Sequence, residues 1–306
     1  MKESAIAQLP LDPLPAGGIA EYAARLRQGA MSAEQAVQAY LDRISALDSK
    51  FQAFVYVAAE QAIQAARAMD GLLKAGYDLG PLMGVPVAVK DLISVDGMPT
   101  KAGSDLDLSD ILGPEGDFVE ALKKAGCIIL GKTRTIEFAA GAHNISKPTP
   151  WNPSDLVIHR TPGGSSNGSA VAMAAGLCAL AIGSDTGGSV RLPAALCSLF
   201  GLKTSTGLWP LDGVFPLCHA MDTLGLLAWS AADAALAFSA LNGCLQPEEA
   251  DLHGLRLGVP ENHVFDDLDT EVALAVESAM NLLESAGVLF KKIRLEEAAE
   301  AKDIFA

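Results

Sequence analysis

The chain of 306 residues is half hydrophobic and only 19% charged, below the roughly 25% of an average domain, which excludes disordered, collagen-like and coiled-coil proteins. Its 37 acidic and 22 basic residues give a net charge of −15. Because such a surface repels phosphate backbones and anionic lipid headgroups, we expect neither a nucleic acid nor a membrane as a partner.

The cysteines and the N-terminus indicate a reduced protein in the cytoplasm. Five cysteines are present, and no two of them form a CxxC pair, which is unlike a disulfide framework or a zinc site. Residues 1–11 contain no apolar segment of the kind that a signal peptide carries. The longest apolar run, residues 170–182, is too short to span a bilayer and predicts a buried helix followed by a strand.

The N-terminal third has helical periodicity. Ser32 and Gln35 have the spacing of a capping box. Apolar residues then recur at intervals of three and four between residues 37 and 47, which is typical of one helix face. A second helix is predicted from about residue 58 to 75, and Gly76 ends it.

Short apolar runs alternate with helical segments in the rest of the chain. The predicted strands are residues 85–89, 127–130, 255–259 and 288–290, and the predicted helices are residues 117–125, 270–286 and 296–305. Buried strands that alternate with helices are typical of an α/β fold. We therefore predict a mixed central β-sheet flanked by helices, after an N-terminal helical pair. Because no internal repeat or clear linker is present, we expect one domain over residues 1–306.

Glycine is concentrated between residues 163 and 188, where seven glycines alternate with serines. Glycine costs backbone entropy, so the cluster indicates tight turns or a close approach of backbone N–H groups to a ligand. Gly131-Lys132-Thr133 resembles the end of a Walker motif, but the phosphate-binding loop before it is predicted to be missing, and no well-placed GxGxxG is present. Nucleotide binding is therefore not the favoured interpretation.

A serine hydrolase with a nucleophile elbow is a further interpretation. Residues 164–168 fit the pattern GxSxG with Ser166 as the nucleophile. The elbow requires a preceding strand, whereas residues 159–163 have the composition of a loop. The histidines that follow are His219, His253 and His263, and none of them has a distinctive setting. This interpretation is not favoured either.

A serine nucleophile with a lysine base needs no histidine. The lysine must be neutral, and burial among hydrogen-bonding groups is what lowers its pKa. Lys90 fits because it follows the mostly apolar residues 85–89. Its local sequence fits equally a structural lysine that faces solvent or pairs with Asp91.

Ser189 has surroundings that suit a nucleophile. It follows Asp185-Thr186-Gly187-Gly188, and a loop of small residues can direct several N–H groups to one point, as an oxyanion hole requires. A glycine turn with a helix-capping serine would have the same local sequence, so both interpretations remain open at this level.

Two successive segments, Thr161–Ala170 and Gly183–Arg191, resemble the signature of the amidase signature family. Flanking segments agree with the family in order and spacing, and they are residues 84–91, 131–133, 137–138, 151–153, 201–203 and 222–225. The resemblance covers roughly residues 18–245. The intervals of 75 residues from Lys90 to Ser165 and 24 residues from Ser165 to Ser189 are those of the family's catalytic trio.

The resemblance implies a role for each member of the trio. Ser189 matches the nucleophile, Ser165 matches the bridging serine whose peptide bond is cis in the family, and Lys90 matches the general base. The implied oxyanion-hole donors are the backbone amides of Thr186, Gly187, Gly188 and Ser189. Asp185 and Arg191 match positions that shape the loop. The implied reaction is cleavage of a small carboxylic amide to an acid and ammonia or an amine, through a Ser189 acyl-enzyme and without a metal or organic cofactor.

The chain departs from the family pattern at Asn167, at residues 204–207, at Leu226 and in its length. Asn167 stands where a second glycine usually follows the paired serines. The chain is also shorter than usual members, so we expect the C-terminal part of the family domain to be missing. An incomplete sheet would leave an exposed edge and an apolar face, and we expect a weakly active chain that forms homo-oligomers.

Other functions fit the same resemblance. One is the amidase component of a glutamine-dependent tRNA amidotransferase, although residues 221–225 are more similar to those of stand-alone amidases. Another is an esterase that uses the same trio. The last is a truncated, inactive chain that acts only as a binding or assembly module.

Overall fold

The structure is a computed structural model that describes residues 11–108, 111–141, 143, 147–245 and 250–301. The chain divides into two compact units, Met1–Gln246 and Pro247–Ala306. That both belong to one domain over residues 1–306 stays a prediction from the sequence.

A six-stranded sheet forms the centre of the first unit. Its strands are β1 (Phe54–Val57), β2 (Pro86–Lys90), β3 (Ile128–Thr133), β4 (Leu180–Asp185), β5 (Phe200–Lys203) and β6 (Thr223–Ala228). They lie in the order β1-β3-β2-β4-β6-β5. Strand β2 is parallel to both β3 and β4, whereas β1, β6 and β5 join by antiparallel pairing. The predicted mixed α/β sheet is confirmed.

The helices of the first unit are α1 (Gly18–Arg27), α2 (Ala33–Phe51), α3 (Ala59–Lys74), α4 (Asp117–Lys124), α5 (Asn167–Ala174), α6 (Arg191–Leu196) and α7 (Ala231–Asn242). The predicted N-terminal pair corresponds to α2 and α3. Its capping box is confirmed, since the Ser32 hydroxyl accepts the Gln35 amide and the Gln35 side chain accepts the Ser32 amide. Helix α1 was not predicted; it is shorter, and its N-cap, Gly17, provides no capping side chain.

The central strands are buried along their whole length. Every residue of β2, β3, β4 and β6 is buried, which explains why these strands are nearly continuous apolar runs without alternation. Because β2, β3 and β4 are parallel, their carboxyl ends meet at one edge of the sheet. The loops that follow Lys90, Thr133 and Asp185 therefore lie next to one another.

The second unit has a strand–helix–strand arrangement. Strand β7 (Arg256–Pro260) pairs in parallel with β8 (Leu289–Ile293), and α8 (Thr270–Ser285) connects them. All three elements were predicted. Of the helical stretch predicted over residues 296–305, the structure shows a short 3₁₀ turn at Glu296–Ala299, and residues 302–305 lie outside the described part.

All five cysteines are free thiols. Within the described ranges, no helix combines the length and the apolar character needed to cross a membrane.

Candidate active site

Lys90 is the last residue of β2 and its side chain is fully buried. Its Nζ donates to the Oγ of Ser165 at 2.8 Å and to the Oγ of Ser184 at 2.9 Å. The solvent-facing alternative is therefore wrong. So is pairing with Asp91, because that carboxylate lies 3.3 Å from the Nζ of Lys132 instead.

Burial changes the acidity of the Lys90 ammonium group. Desolvation lowers the pKa of Lys90 to about 7, although the charges of Asp185 and Asp222 act in the opposite direction. A lysine with this pKa is partly neutral near neutral pH, and a neutral amine can accept a proton. This is the property that a lysine base requires.

Ser165 is held at its backbone as well as at its hydroxyl group. Its peptide bond with Gly164 is cis, as the family resemblance implies. The Ser165 carbonyl accepts the Ile136 amide at 3.2 Å and the Thr135 hydroxyl at 3.1 Å. The segment after β3 therefore fixes the carbonyl, while the hydroxyl remains directed at Lys90.

Ser184 is a site residue that sequence reasoning missed. It is buried in β4, and the parallel register that pairs Val89 with Ile182 brings it beside Lys90. Gly183, just before it, leaves no room for a side chain, since a Cβ there would lie 2.7 Å from the Oγ of Ser166. Only the strand pairing reveals this contact, because 94 residues separate Ser184 from Lys90.

Ser189 lies in the loop after β4 and is half-buried. Its backbone carbonyl accepts the Ser166 amide at 3.2 Å, which places the loop against the paired serines. Its hydroxyl makes no hydrogen bond within the described part of the chain. Lys90 and Ser165 are thus in direct hydrogen-bond contact. Ser189 is linked to the paired serines by the hydrogen bond between its backbone carbonyl and the Ser166 amide.

The carboxylate of Asp185 organises this loop. It accepts the amides of Gly188, Val190 and Arg191, and the guanidinium of Arg191 binds it at 2.8 Å. Burial acts to raise the pKa of Asp185, but the hydrogen bonds from the Arg191 guanidinium and from the Val190 and Arg191 amides outweigh it and keep the pKa below its usual value. Asp185 and Arg191 therefore shape the loop.

Three of the four amides that were predicted as oxyanion donors are not engaged by an acceptor among the described residues. The amides of Thr186, Gly187 and Ser189 have no acceptor among the described residues, whereas the Gly188 amide donates to Asp185 at 2.9 Å. The Thr186 hydroxyl donates to the Asp222 carboxylate at 2.5 Å. That carboxylate also accepts two backbone amides from the segment at 217–218, so the loop is anchored from both sides.

The alternative sites do not assemble. The Ser166 hydroxyl is fully buried and donates to the Ser184 carbonyl at 3.2 Å, and residues 151–165, directly before it, contain no strand. The three candidate histidines, His219, His253 and His263, are exposed. Among the described residues, no group of three or more possible ligands could hold a metal ion.

The Walker-like segment has a structural explanation. Residues 126–133 match the full pattern GxxxxGK[ST], but most of them form β3, so there is no loop to surround a phosphate. A Cβ at Gly131 would lie 2.1 Å from the Tyr56 carbonyl oxygen of β1. Lys132 is fully buried and pairs with Asp91. Gly131 therefore allows β3 to pack closely against β1, and Lys132 forms a buried ion pair.

Comparison with known proteins gives the family. The model of the family described as Amidase matches residues 35–306. The chain belongs to the amidase signature family. It is 42% identical over 296 residues to a 2-amino-5-chloromuconic acid deaminase of Comamonas testosteroni, with 94% of this chain and 63% of that protein covered. It is also 37% identical to a glutamyl-tRNA(Gln) amidotransferase component of Carboxydothermus hydrogenoformans, with 90% and 60% covered.

Solved structures of amidases share the fold. The native peptide amidase of Stenotrophomonas maltophilia superposes with a TM-score of 0.83 at 30% identity, covering 95% of this chain and 65% of that protein. A structure described as an amidase gives the same TM-score at 33% identity, with 91% and 63% covered. The chain thus spans slightly under two thirds of the length of these relatives.

Proposed function

We propose that this chain carries the catalytic centre of an amidohydrolase that cleaves a small carboxylic amide to an acid and ammonia or an amine. The observation that supports this most directly is the fully buried Lys90, whose Nζ lies 2.8 Å from the Ser165 hydroxyl and whose pKa is lowered to about 7. A lysine with a purely structural role is rarely buried without a carboxylate partner. A lysine that acts as a general base requires such a setting, because burial keeps its amine partly neutral.

In the proposed mechanism, neutral Lys90 accepts the proton of the Ser165 hydroxyl, and Ser165 in turn accepts the proton of Ser189. The Ser189 oxygen attacks the amide carbonyl carbon and forms a tetrahedral intermediate. Ser165 then delivers a proton to the leaving nitrogen, and the C–N bond breaks. Water, activated by the same relay, hydrolyses the acyl-enzyme and restores Ser189.

The loop after β4 provides the proposed oxyanion hole. The free amides of Thr186, Gly187 and Ser189 are available to the developing negative charge. The Gly188 amide was also predicted to be an oxyanion donor, and this stays a prediction. In this structure that amide donates to the Asp185 carboxylate. The anchoring of Asp185 and Thr186 supports this role, because fixed donors need no reorganisation during the reaction.

We extend the proposal to the whole chain in three respects. The two compact units belong to one amidase domain, because the family match runs continuously over both. The substrate is a small molecule, and the protein works in the cytoplasm. A homo-oligomer remains a further prediction from the sequence.

A second candidate function is supported by the relatives. Several of them are named as components of glutamyl-tRNA(Gln) amidotransferases, and such a component would release ammonia from glutamine for a partner protein. The net charge of −15 disfavours direct contact with tRNA. A glutaminase assay with and without added partner proteins separates this function from a stand-alone amidase.

The experiment that tests the proposal measures ammonia release from a panel of small amides, together with labelling by a serine-reactive phosphonate. We expect ammonia release by the unchanged chain and a phosphonate adduct on Ser189. An adduct on Ser166 would instead revive the nucleophile elbow. A folded chain that releases no ammonia and forms no adduct would support the binding or assembly module.

A further inference from the structure

A cavity of about 330 Å³ lies at the same edge of the sheet as the catalytic trio but contains none of its members. We call it the Arg134 cavity. Its walls come from β1, from the loop after β2 and from the segment after β3, and the charged residues that line it are Asp91, Lys101, Asp105, Arg134 and Lys147. The volume lies at the lower end of the range for small-molecule sites.

Both carboxylates that line this cavity, Asp91 and Asp105, already have cationic partners. Asp105 is paired with Lys147. Asp91 lies 3.3 Å from the Nζ of Lys132, which approaches it from within the sheet. After these pairs are formed, the cavity retains two cations that form no ion pair with a described residue, Arg134 and Lys101.

Arg134 has unused hydrogen-bonding capacity. Its Nε donates to the Gln52 carbonyl at 3.1 Å, and its two terminal nitrogens make no hydrogen bond within the described chain. Burial lowers the pKa of the guanidinium, opposed by the charges of Asp48 and Asp91. The Asp48 carboxylate is itself occupied by the Ala53 and Phe54 amides. Because the pKa stays lowered, these charges offset the desolvation cost only in part, and an anion beside Arg134 would offset more of it.

We propose that the Arg134 cavity binds a small organic carboxylate, with Arg134 as its principal contact and Lys101 as the second cation. The free edge of a guanidinium presents paired N–H donors that match the two oxygens of a carboxylate. Val55, Tyr56 and Pro99 line the remaining wall and provide apolar surface for a hydrocarbon portion. This surface favours an organic acid over inorganic phosphate.

The site is distinct from the catalytic trio but lies next to it. Thr135 lines the cavity and donates its hydroxyl to the Ser165 carbonyl. Ligand binding in the cavity does not require the Ser189 hydroxyl, so the proposal stands or falls independently of the proposed amidase activity.

The test is isothermal titration of the full chain with succinate, with 1,4-butanediol as the uncharged analogue and inorganic phosphate as a second anion. We expect saturable succinate binding, at least tenfold weaker in Arg134→Gln and also weaker in Lys101→Gln. The exposed Arg160, which pairs with Asp155 outside the cavity, provides the matched control, and Arg160→Gln should bind like the unchanged chain. Ser189→Ala should also retain binding.

Lys101→Gln keeps the test decisive if Arg134→Gln fails to fold, because Lys101 is exposed and its ammonium group contacts no described residue through a hydrogen bond or ion pair. The proposal is overturned if succinate shows no saturable binding into the millimolar range. It is equally overturned if either Lys101→Gln or a folded Arg134→Gln binds succinate as tightly as the unchanged chain does, or if phosphate binds more tightly than succinate.

Discussion

The Nζ of Lys90 and the Oγ of Ser184 lie 2.9 Å apart on neighbouring parallel strands, and the same Nζ lies 2.8 Å from the Oγ of Ser165. The lysine is thus held between two hydroxyl groups. As an ammonium it donates to both of them. As a neutral amine it can keep one N–H directed at Ser184 while its lone pair accepts from Ser165, which is the proton transfer that the proposed mechanism requires.

The first prediction concerns the pH dependence of activity. Because the pKa of Lys90 is lowered to about 7, the lysine is protonated and unable to act as a base below that pH. We expect kcat/KM to rise with pH through a single ionisation near 7 and to level off above it. Lys90→Met should remove both the ionisation and most of the rate. A mutant with the same pH profile as the unchanged chain would show that Lys90 is structural.

The second prediction concerns the nucleophile. Ser189→Ala removes the hydroxyl that the proposed mechanism uses as the nucleophile, and we expect amide hydrolysis to fall by about a thousandfold or more. The measurement is ammonia release under saturating substrate, with circular dichroism to confirm folding. Ser166→Ala is the comparison, since the proposed mechanism gives that buried hydroxyl no proton to transfer. Equal losses in both variants would contradict the assignment.

The third prediction assigns Ser184 a positioning role. Ser184→Ala removes one acceptor of the Lys90 ammonium, so the charged form is less stabilised and the pKa of Lys90 falls further. The midpoint of the pH profile should therefore move to lower pH, and the plateau rate should fall about ten- to a hundredfold because the amine is less well oriented. Ser184→Thr, which retains a hydroxyl, should restore the midpoint. An unchanged midpoint in Ser184→Ala would exclude this role.

Local sequence predicted those parts of the fold that depend on local chemistry. The apolar run before Lys90 predicted a buried strand, and Ser32 and Gln35 predicted the start of α2. Strands β1, β5 and β6 were missed, because their pairing depends on residues far apart in the sequence. Ser184 was missed for the same reason, since its proximity to Lys90 comes from the register of two strands.

The roles proposed for the catalytic trio came from the resemblance, since local sequence left structural alternatives open for both Lys90 and Ser189. The structure decided between the interpretations of Lys90 because burial and a hydrogen-bond partner are spatial properties. A lysine at a strand end has the same sequence whether it faces solvent or the interior. Asp91, one residue later, illustrates this, because its partner proved to be Lys132 of the neighbouring strand.

The fourth prediction concerns that neighbouring pair. Asp91 and Lys132 are both buried, and the Lys132 ammonium also donates to the Thr100 hydroxyl at 2.5 Å. Burial lowers the pKa of Lys132 to about 8, and the charge of Asp91 opposes this shift. Lys132→Met would leave the Asp91 carboxylate buried without its cation, which typically costs about 3–5 kcal/mol of unfolding free energy.

A double variant separates this charge effect from lost packing. In Asp91→Asn with Lys132→Met, no uncompensated charge remains, while the amide oxygen can still accept the Lys101 amide that Asp91 binds at 3.2 Å. We therefore expect the double variant to be more stable than Lys132→Met alone. The measurement is the urea midpoint of both variants at neutral pH, with equal slopes confirming comparable unfolding. If the double variant were the less stable one, the ion pair would not be the reason that Lys132 is buried, and its contact with Thr100 would become the better explanation.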